Sequence, residues 1–558
     1  MVKRDISIIL CIISVISWVS FWDNNTDTFF QNYFLLGGFA LAAVFHYKKE
    51  VKLDFLNILL SIIFSSSVML ANYKYVDEIK QWIGLWLFGI VIFYNCIYLL
   101  EMLINKAHKS NEFPIKERWI WCILTFVSVV GMDYYYLFTV AWPGLVTYDS
   151  TAMIRFFILE TYTNHHPYYM IRYMKVLYDI SMAIWGDINS FVGLYSVIQV
   201  LVVSMFFVYF VDTLVKQKLP RICIVLTIMG YTFLPYNIKY SVTMWKDVPF
   251  ALCLTGIVAS FIRIIRCSEH ECRFDYLMMF MCTLGVGVLR NNGVYCLLAF
   301  VFGLWIFKSQ IKRKMIITVF VSMVIGIIMN GPLLGLLSVS PTETAESLSI
   351  PIQQISRVIV DDGYLSENQI TELINYLPVD KVKELYVDSG SDPIKSYAVG
   401  VITEDNITNF LTLWAKIGVR NPICYLHAWI DQTKGFWCAG FPNNVWWDPM
   451  IFDNDFGIKS SFIESAKTNP IEEYIWKYRS KASLSIFISI GLHIWIMFAL
   501  VLIHFKKKDY SYCIMCLPLI ALWGTLLIAS PVNGEFRYLY SVFLTMPLLL
   551  FENRASEK

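Results

Sequence analysis

The chain has 558 residues, of which 57% are hydrophobic and 16% charged, with a mean hydropathy of +0.56 and a formal net charge of +2. Soluble domains are about 45–50% apolar and about 25% charged, so a soluble globular protein is excluded and an integral membrane protein is indicated. The net charge by itself is uninformative; the placement of the positive charges carries the information, and no nucleic-acid partner is expected.

The first apolar run follows Met1-Val2-Lys3-Arg4-Asp5, lacks a small-residue cleavage site and precedes further spans, so it reads as a retained anchor. Spans of about 20 apolar residues are predicted at 6–22, 30–46, 55–72, 82–104, 119–141, 189–214, 221–237, 248–265, 275–290, 293–308, 314–338, 483–505, 511–530 and 536–551. The alternate connections, from "HYKKEVKLD" through "KQKLPR" and "KSQIKRKM" to "HFKKKDYS", are basic and fall on one side. That side is cytoplasmic by the positive-inside rule, and both termini with it. The expectation is an all-α polytopic cell-membrane protein of about fourteen helices in four parts. These are a four-span accessory module at 1–118, a transmembrane module at 119–338, an extracytoplasmic domain at 339–482 and a three-span part at 483–558. Of thirteen cysteines only Cys424 and Cys438 fall in the extracytoplasmic region, where a bridge between them is conceivable but disfavoured.

The outer face collects the chemistry. The loop at 142–188 opens with "WPGLVTYDS", in which Pro143 and Gly144 end a span. Two juxtamembrane helices are predicted to follow, "DSTAMIRFFILETY" and "PYYMIRYMKVLYDI", with Asp149 and the pair His165-His166 at their starts. Lys239, Lys246, Arg290 and Arg537 sit at outer span ends beside Asp247, Asn291, Asn292 and Glu535, although cations are disfavoured on that side. Taken singly, each cation reads equally well as a snorkelling anchor; together with Asp149 and His166 they read as a shared site for an anionic partner. In the long segment, "SENQITELINYL" predicts a short helix with a serine N-cap, and the stretch 406–437 predicts longer ones. Trp437, Trp446 and Trp447 suit an interfacial aromatic belt better than sugar stacking. Gln353, Gln354 and Arg357, just after a span, either line a pocket roof or fold the outer domain.

The strings "WPGLVTYDS", "NHHP", "MWKDVPF", "LRNNG", "PIQQISRV", "SDPIK" and "EFRYLY" resemble the external loops of GT-C-fold glycosyltransferases, in particular a group of Gram-positive bacterial membrane proteins related to them. The resemblance runs from about residue 119 to 551 and leaves out the first four spans. It implies a GT-C-like enzyme moving a sugar, with inversion, from a polyprenyl-phosphate donor to a cell-envelope glycan on the extracytoplasmic face. Asp149 then matches the family's general base toward the acceptor. Arg290, Arg537 and Lys246 would bind the donor phosphate, since guanidinium forks suit phosphate oxygens. His166 either donates to phosphate, orients Asp149, or caps and packs its helix. His165, Asp247, Asn291, Asn292, Glu535, Gln354 and Arg357 are expected around the substrate pocket. Some GT-C enzymes use a divalent cation, Mg or Mn, and Asp149 with Asp247 would be its ligands here. A lipid-linked glycan transporter is the alternative and predicts charges deep in spans and helices broken near the midplane; a non-catalytic envelope scaffold is a third reading.

Overall fold

The computed structural model describes residues 54–74, 79–105, 113–267, 272–308, 311–441, 443–445, 450–461, 468–480 and 486–552. The expected spans at 6–22 and 30–46, and Trp446 and Trp447, lie outside the described residues. The helices run in order α1 (Phe55–Ala71), α2 (Ile79–Asn105), α3 (Ile115–Tyr136), α4 (Tyr148–Ile158), α5 (Tyr168–Ile184), α6 (Ile188–Lys216), α7 (Arg221–Phe233), α8 (Pro235–Ser241), α9 (Asp247–Arg266), α10 (Arg273–Leu289), α11 (Gly293–Ile306) and α12 (Arg313–Asn330). They continue with α13 (Pro332–Leu336), α14 (Ser349–Val360), α15 (Glu367–Leu373), α16 (Val382–Leu385), α17 (Asp392–Ala398), α18 (Ile407–Arg420), α19 (Pro422–Thr433), α20 (Pro470–Ser480), α21 (Ile490–Lys506), α22 (Tyr510–Ala529) and α23 (Tyr540–Phe551). Extended backbone among the described residues is limited to isolated bridges.

Among the described residues, six helices are long and apolar enough to cross a membrane, or seven if α7 and α8 count as one bent span. That bend, 54°, falls inside the span expected at 221–237. Pro235 supplies no amide hydrogen and disfavours helical geometry at Leu234, so the run breaks there. Phe55–Ala71, Gly293–Ile306, Ile490–Lys506 and Phe536–Phe551 are apolar helices of 10–17 residues. The chain is thus all-helical with the build of a polytopic membrane protein.

Helix α9 is the axis of the bundle: 83% of its apolar window is buried, against 22% for the span that includes α12. At its far end Arg263 bridges Asp212 of α6 (2.7 Å) and Asp275 of α10 (2.6 Å), and Arg118 of α3 also grips Asp212. Four helices are pinned by one buried ion network, which fixes the rotation of α9 and hence the direction of Asp247 at its opposite end. The α10–α11 turn, "RNNG", is equally constrained. A Cβ on Gly293 would lie 2.0 Å from the Val286 carbonyl oxygen. Gly293→Ala must therefore push backbone apart, and a loss of about 1–3 kcal/mol is expected in thermal unfolding.

Within 339–482, an apolar core of its own runs from Ala345 to Tyr425. Ser366 caps α15 in a reciprocal box with Gln369, as its spacing predicts. From Ile430 onward the segment packs instead on the main helical core, through Phe436, Trp437, Ile471 and Ile475. Trp437 is buried against Trp429, with centroids 5.8 Å apart, so it belongs neither to a belt nor to an open sugar platform. Cys424 and Cys438 are both free thiols.

Candidate functional site

Asp149 is held by a short ladder. Leu145 donates to the Val242 carbonyl (2.9 Å) and accepts from Met244 (3.0 Å), joining 145–147 to 242–245. Thr147 and Ser150 then form a capping box, Ser150 Oγ also donates to the Met244 carbonyl (2.8 Å), and Trp245 Nε1 donates to Thr147 Oγ1 (2.5 Å). Gly144 permits the approach: its φ is +151°, and a Cβ there would meet Ser196 Oγ at 2.1 Å. Asp149 consequently stands in the first turn of α4, and Asp247 in the first turn of α9, where the helix N-terminus favours a carboxylate.

Arg537 arrives from the 3₁₀ turn Phe536–Leu539. Its Nη1 lies 2.5 Å from Asp149 Oδ2 and 3.7 Å from Asp247 Oδ2, and its Nε lies 3.4 Å from Glu535 Oε1. Arg290 Nη1 lies 2.8 Å from Asp247 Oδ1. Yet both Asp247 oxygens and Arg290 Nη1 lack an aligned hydrogen bond, so this is an ion pair by distance whose donors and acceptors are not committed to each other. Tyr538 separates the two guanidiniums, with ring centroid 4.9 Å from Arg290 and 5.3 Å from Arg537, and Trp245 backs Arg537 at 4.9 Å. Lys246 Nζ sits 3.1 Å from His166 Nδ1 and 3.5 Å from the His165 carbonyl oxygen. The Asp149 side chain is 22% exposed, whereas that of Asp247 is 1% exposed: one acid opens outward and the other is sealed.

The charges explain the protonation states. Burial alone would push the Asp149 carboxyl up, but Arg537 and then Lys246 outweigh it and hold it well below the usual carboxylate range. Burial, then the adjacent Lys246, push His166 well below the ordinary imidazole value, and His165 is lowered for the same two reasons. His166 is therefore neutral and presents a lone pair to the Lys246 ammonium. Its hydrogen-bond contact is therefore with Lys246 (3.1 Å). Below about pH 6.5 an unfolded chain binds a proton that the buried His166 does not. Stability must then fall on acidification, by up to about 1.4 kcal/mol per pH unit for His166, until its lowered native value is reached. Thermal unfolding between pH 7.5 and 5 should show this slope, and His166→Gln should reduce it.

The cluster brings together Asp149, His165, His166, Lys246, Asp247, Arg290, Glu535 and Arg537. Asn291 and Asn292 flank it as braces. Asn291 donates to the Asn164 carbonyl (3.2 Å) and to Thr342 (3.1 Å), and Asn292 to Thr525 (3.2 Å). Gln354 and Arg357 are not in it. Gln354 bonds Trp414 (2.8 Å) and the Tyr425 carbonyl (3.2 Å) beside the core that runs from Ala345 to Tyr425, and Arg357 pairs with Asp361, Asp388 and Asp431. Lys239, which reads like Lys246 in the sequence, is fully buried against Glu472 (2.8 Å) and apart from the cluster. Sequence reasoning missed Trp245 and Tyr538, although each adjoins a charged residue in a quoted motif.

The pair Asp149 and Asp247 does not fit a resident Mg or Mn ion. Arg537 bridges the two carboxylates, and among the described residues no group of three or more His, Cys, Asp or Glu side chains is arranged to hold a metal. Away from the charges, an apolar groove of about 420 Å³ runs between α7, α8, α21 and α23, lined by Tyr231, Tyr236, His493, Phe543 and Pro547 among others.

Comparison with curated proteins and with solved structures gave no match. Residues 115–558 match a family described as of unknown function, DUF6020, and since the match spans most of the chain, the protein belongs to that family.

Proposed function

We propose that this protein is a membrane glycosyltransferase of GT-C type, moving a sugar from a polyprenyl-phosphate donor to a cell-envelope glycan or glycolipid on the extracytoplasmic face. The observation that carries the reading is the 2.5 Å pair between the solvent-open Asp149 and Arg537, with Arg290 and Lys246 gathered around it. As it stands the cluster is balanced, Asp149, Asp247 and Glu535 against Lys246, Arg290 and Arg537. An incoming phosphate must therefore take a cation from a carboxylate, and Asp149 is the exposed one. Phosphate binding at Arg537 would thus release Asp149 and raise its basicity at the moment a base is needed.

In the transfer step the acceptor hydroxyl oxygen forms a bond to the anomeric carbon, with inversion, as the bond to the phosphate oxygen breaks. The electron pair leaves with polyprenyl phosphate, whose growing charge Arg290, Arg537 and Lys246 stabilise. The acceptor proton goes to Asp149 Oδ2. The apolar groove supports a lipid-borne donor, because its walls α8 and α23 adjoin the segments carrying Lys246 and Arg537.

The test is reconstitution in lipid discs with a synthetic polyprenyl-phosphate sugar and a glycan acceptor, following release of polyprenyl phosphate. Asp149→Asn should lower the rate about 10²–10⁴-fold without unfolding the protein; wild-type turnover by that variant would end the base assignment. The 54° break between α7 and α8 gives the transporter reading its own support. Translocation of intact donor with no release of polyprenyl phosphate would favour it.

A further inference from the structure

We propose that Tyr73 and Lys74, at the outer end of α1 and beyond the stretch that defines the family, position Arg537. The helices α1 and α2 lie against α21 through Phe64, Phe93 and Ile97, which meet Trp495, Ala499 and Ile503. Two ionic clamps close the ends of this packing. At one, Lys506 Nζ contacts Asp54 (3.1 Å), Asn57 (3.1 Å) and Glu101 (3.3 Å). At the other, Lys74 Nζ lies 2.7 Å from Asp388 Oδ2 and 2.8 Å from Asp431 Oδ2. Tyr73 donates to the same Asp431 oxygen (3.0 Å) and stacks on His427, with centroids 4.1 Å apart.

The two acids that Lys74 joins are each one residue from a group that holds the Arg537 loop. Next to Asp388, Ser389 accepts from the Asn533 amide (2.8 Å), and Ser391 donates to the Pro531 carbonyl (3.0 Å). Next to Asp431, Gln432 Nε2 donates to the Ser530 carbonyl (2.8 Å). The chain after Asp431 continues the grip. Gly435 donates to Asn533 Oδ1 (2.6 Å), Asn443 Nδ2 ties the Gly435 and Gly534 carbonyls (2.9 and 2.8 Å), and Phe536 donates to the Asn444 carbonyl (3.2 Å). Gly435 and Gly534 approach so closely that a Cβ on the first would sit 2.5 Å from the second's Cα. Arg537 follows three residues after that contact. Lys74, with Arg357 on the same two carboxylates (3.3 and 3.4 Å), therefore draws the 388 and 431 segments together, Lys74 making the shorter contacts, and between them the segments clasp 530–536.

Lys74 is a positioning residue, and its consequence for donor binding rests on the reading of Arg537 as a phosphate ligand. The two are separated by hydrogen–deuterium exchange on the full-length protein in detergent, which needs no activity. Lys74→Ala should speed amide exchange about tenfold in 530–537 and 435–444. Lys506→Ala, which opens the clamp at the other end, should speed exchange in α1 and α2 only, and Lys74→Arg should restore the wild-type pattern. If Lys74→Ala does not yield folded protein, Tyr73→Phe removes one bond to the same carboxylate and should give the same pattern in weaker form. Equal effects of Lys74→Ala and Lys506→Ala, or effects confined to 54–105, would overturn the proposal. Binding of polyprenyl phosphate, measured in parallel, should weaken several-fold in Lys74→Ala. Selective exchange in a protein that binds no polyprenyl phosphate would uphold the positioning and remove the donor reading.

Discussion

Replacing Arg537 by alanine is expected to destabilise the protein by about 3–5 kcal/mol and to abolish binding of polyprenyl phosphate. Its side chain is only 12% exposed and faces Asp149, Asp247 and Glu535, so removal leaves three carboxylates against Arg290, which stays 2.8 Å from Asp247, and Lys246. Burial would then lift the Asp149 carboxyl, which has lost the largest of the charges that hold it down. A carboxyl with a raised native value stabilises at low pH and loses that contribution as pH climbs through the raised value. The deficit of Arg537→Ala should therefore be larger at pH 7.5 than at pH 5, a signature that a merely packing role would not give. Arg537→Lys keeps the charge but loses the planar fork and the stack on Trp245 and Tyr538. It should retain most of the stability and lose most of the phosphate affinity. Thermal unfolding in detergent at the two pH values, with equilibrium binding of polyprenyl phosphate, checks both; an unfolding temperature of Arg537→Ala equal to wild type at pH 7.5 would sink the account.

The all-helical membrane build and several of its spans were legible in the sequence because they depend on local composition. Runs such as 189–214 and 248–265 are apolar whatever surrounds them, and charged residues at span ends stand out against such runs. The two helices of the 142–188 loop were readable for the same reason, from Pro143-Gly144 and from Pro167. Partners were not legible. Lys239 and Lys246 lie seven residues apart in similar settings, and only a glutamate 233 positions away makes the first a buried structural pair. Gln354 and Arg357 follow a span as a pocket-lining residue would, but their partners, Trp414 and Tyr425 for the one and Asp361, Asp388 and Asp431 for the other, lie outside the cluster. His166 read equally as a donor to phosphate, a partner of Asp149 or a cap; its contact with Lys246 depends on how the 161–166 loop folds back, where Thr163 bridges to Ser340. The role of α1 and α2 was invisible because Lys74 meets its partners across 314 residues of chain in one case.

Asp149→Asn is expected to move binding and turnover in opposite directions. Asparagine keeps the size of the side chain and its place in the first turn of α4, but it removes the anion that occupies Arg537 Nη1 at 2.5 Å. A phosphate approaching the wild-type site must displace that carboxylate, and a hydrogen bond between charged groups is worth about 1.5–3 kcal/mol. In the variant the guanidinium is already free. Part of the gain is lost to its altered solvation, so a tightening of about tenfold for polyprenyl phosphate is the expected scale, near 1.4 kcal/mol. Turnover should fall by about 10²–10⁴, because the cluster's other carboxylates, Asp247 and Glu535, are only 1% and 5% exposed. Since Arg537 and Lys246 overcome the effect of burial and hold the native Asp149 carboxyl below its ordinary range, it stays ionised throughout pH 5–8, and the affinity gap should be constant over that window. Fluorescence-detected binding and product release on the same preparations decide the matter. Weaker binding together with lost turnover would mean that Asp149 helps to hold the donor, and the exchange of carboxylate for phosphate on Arg537 would have to be abandoned.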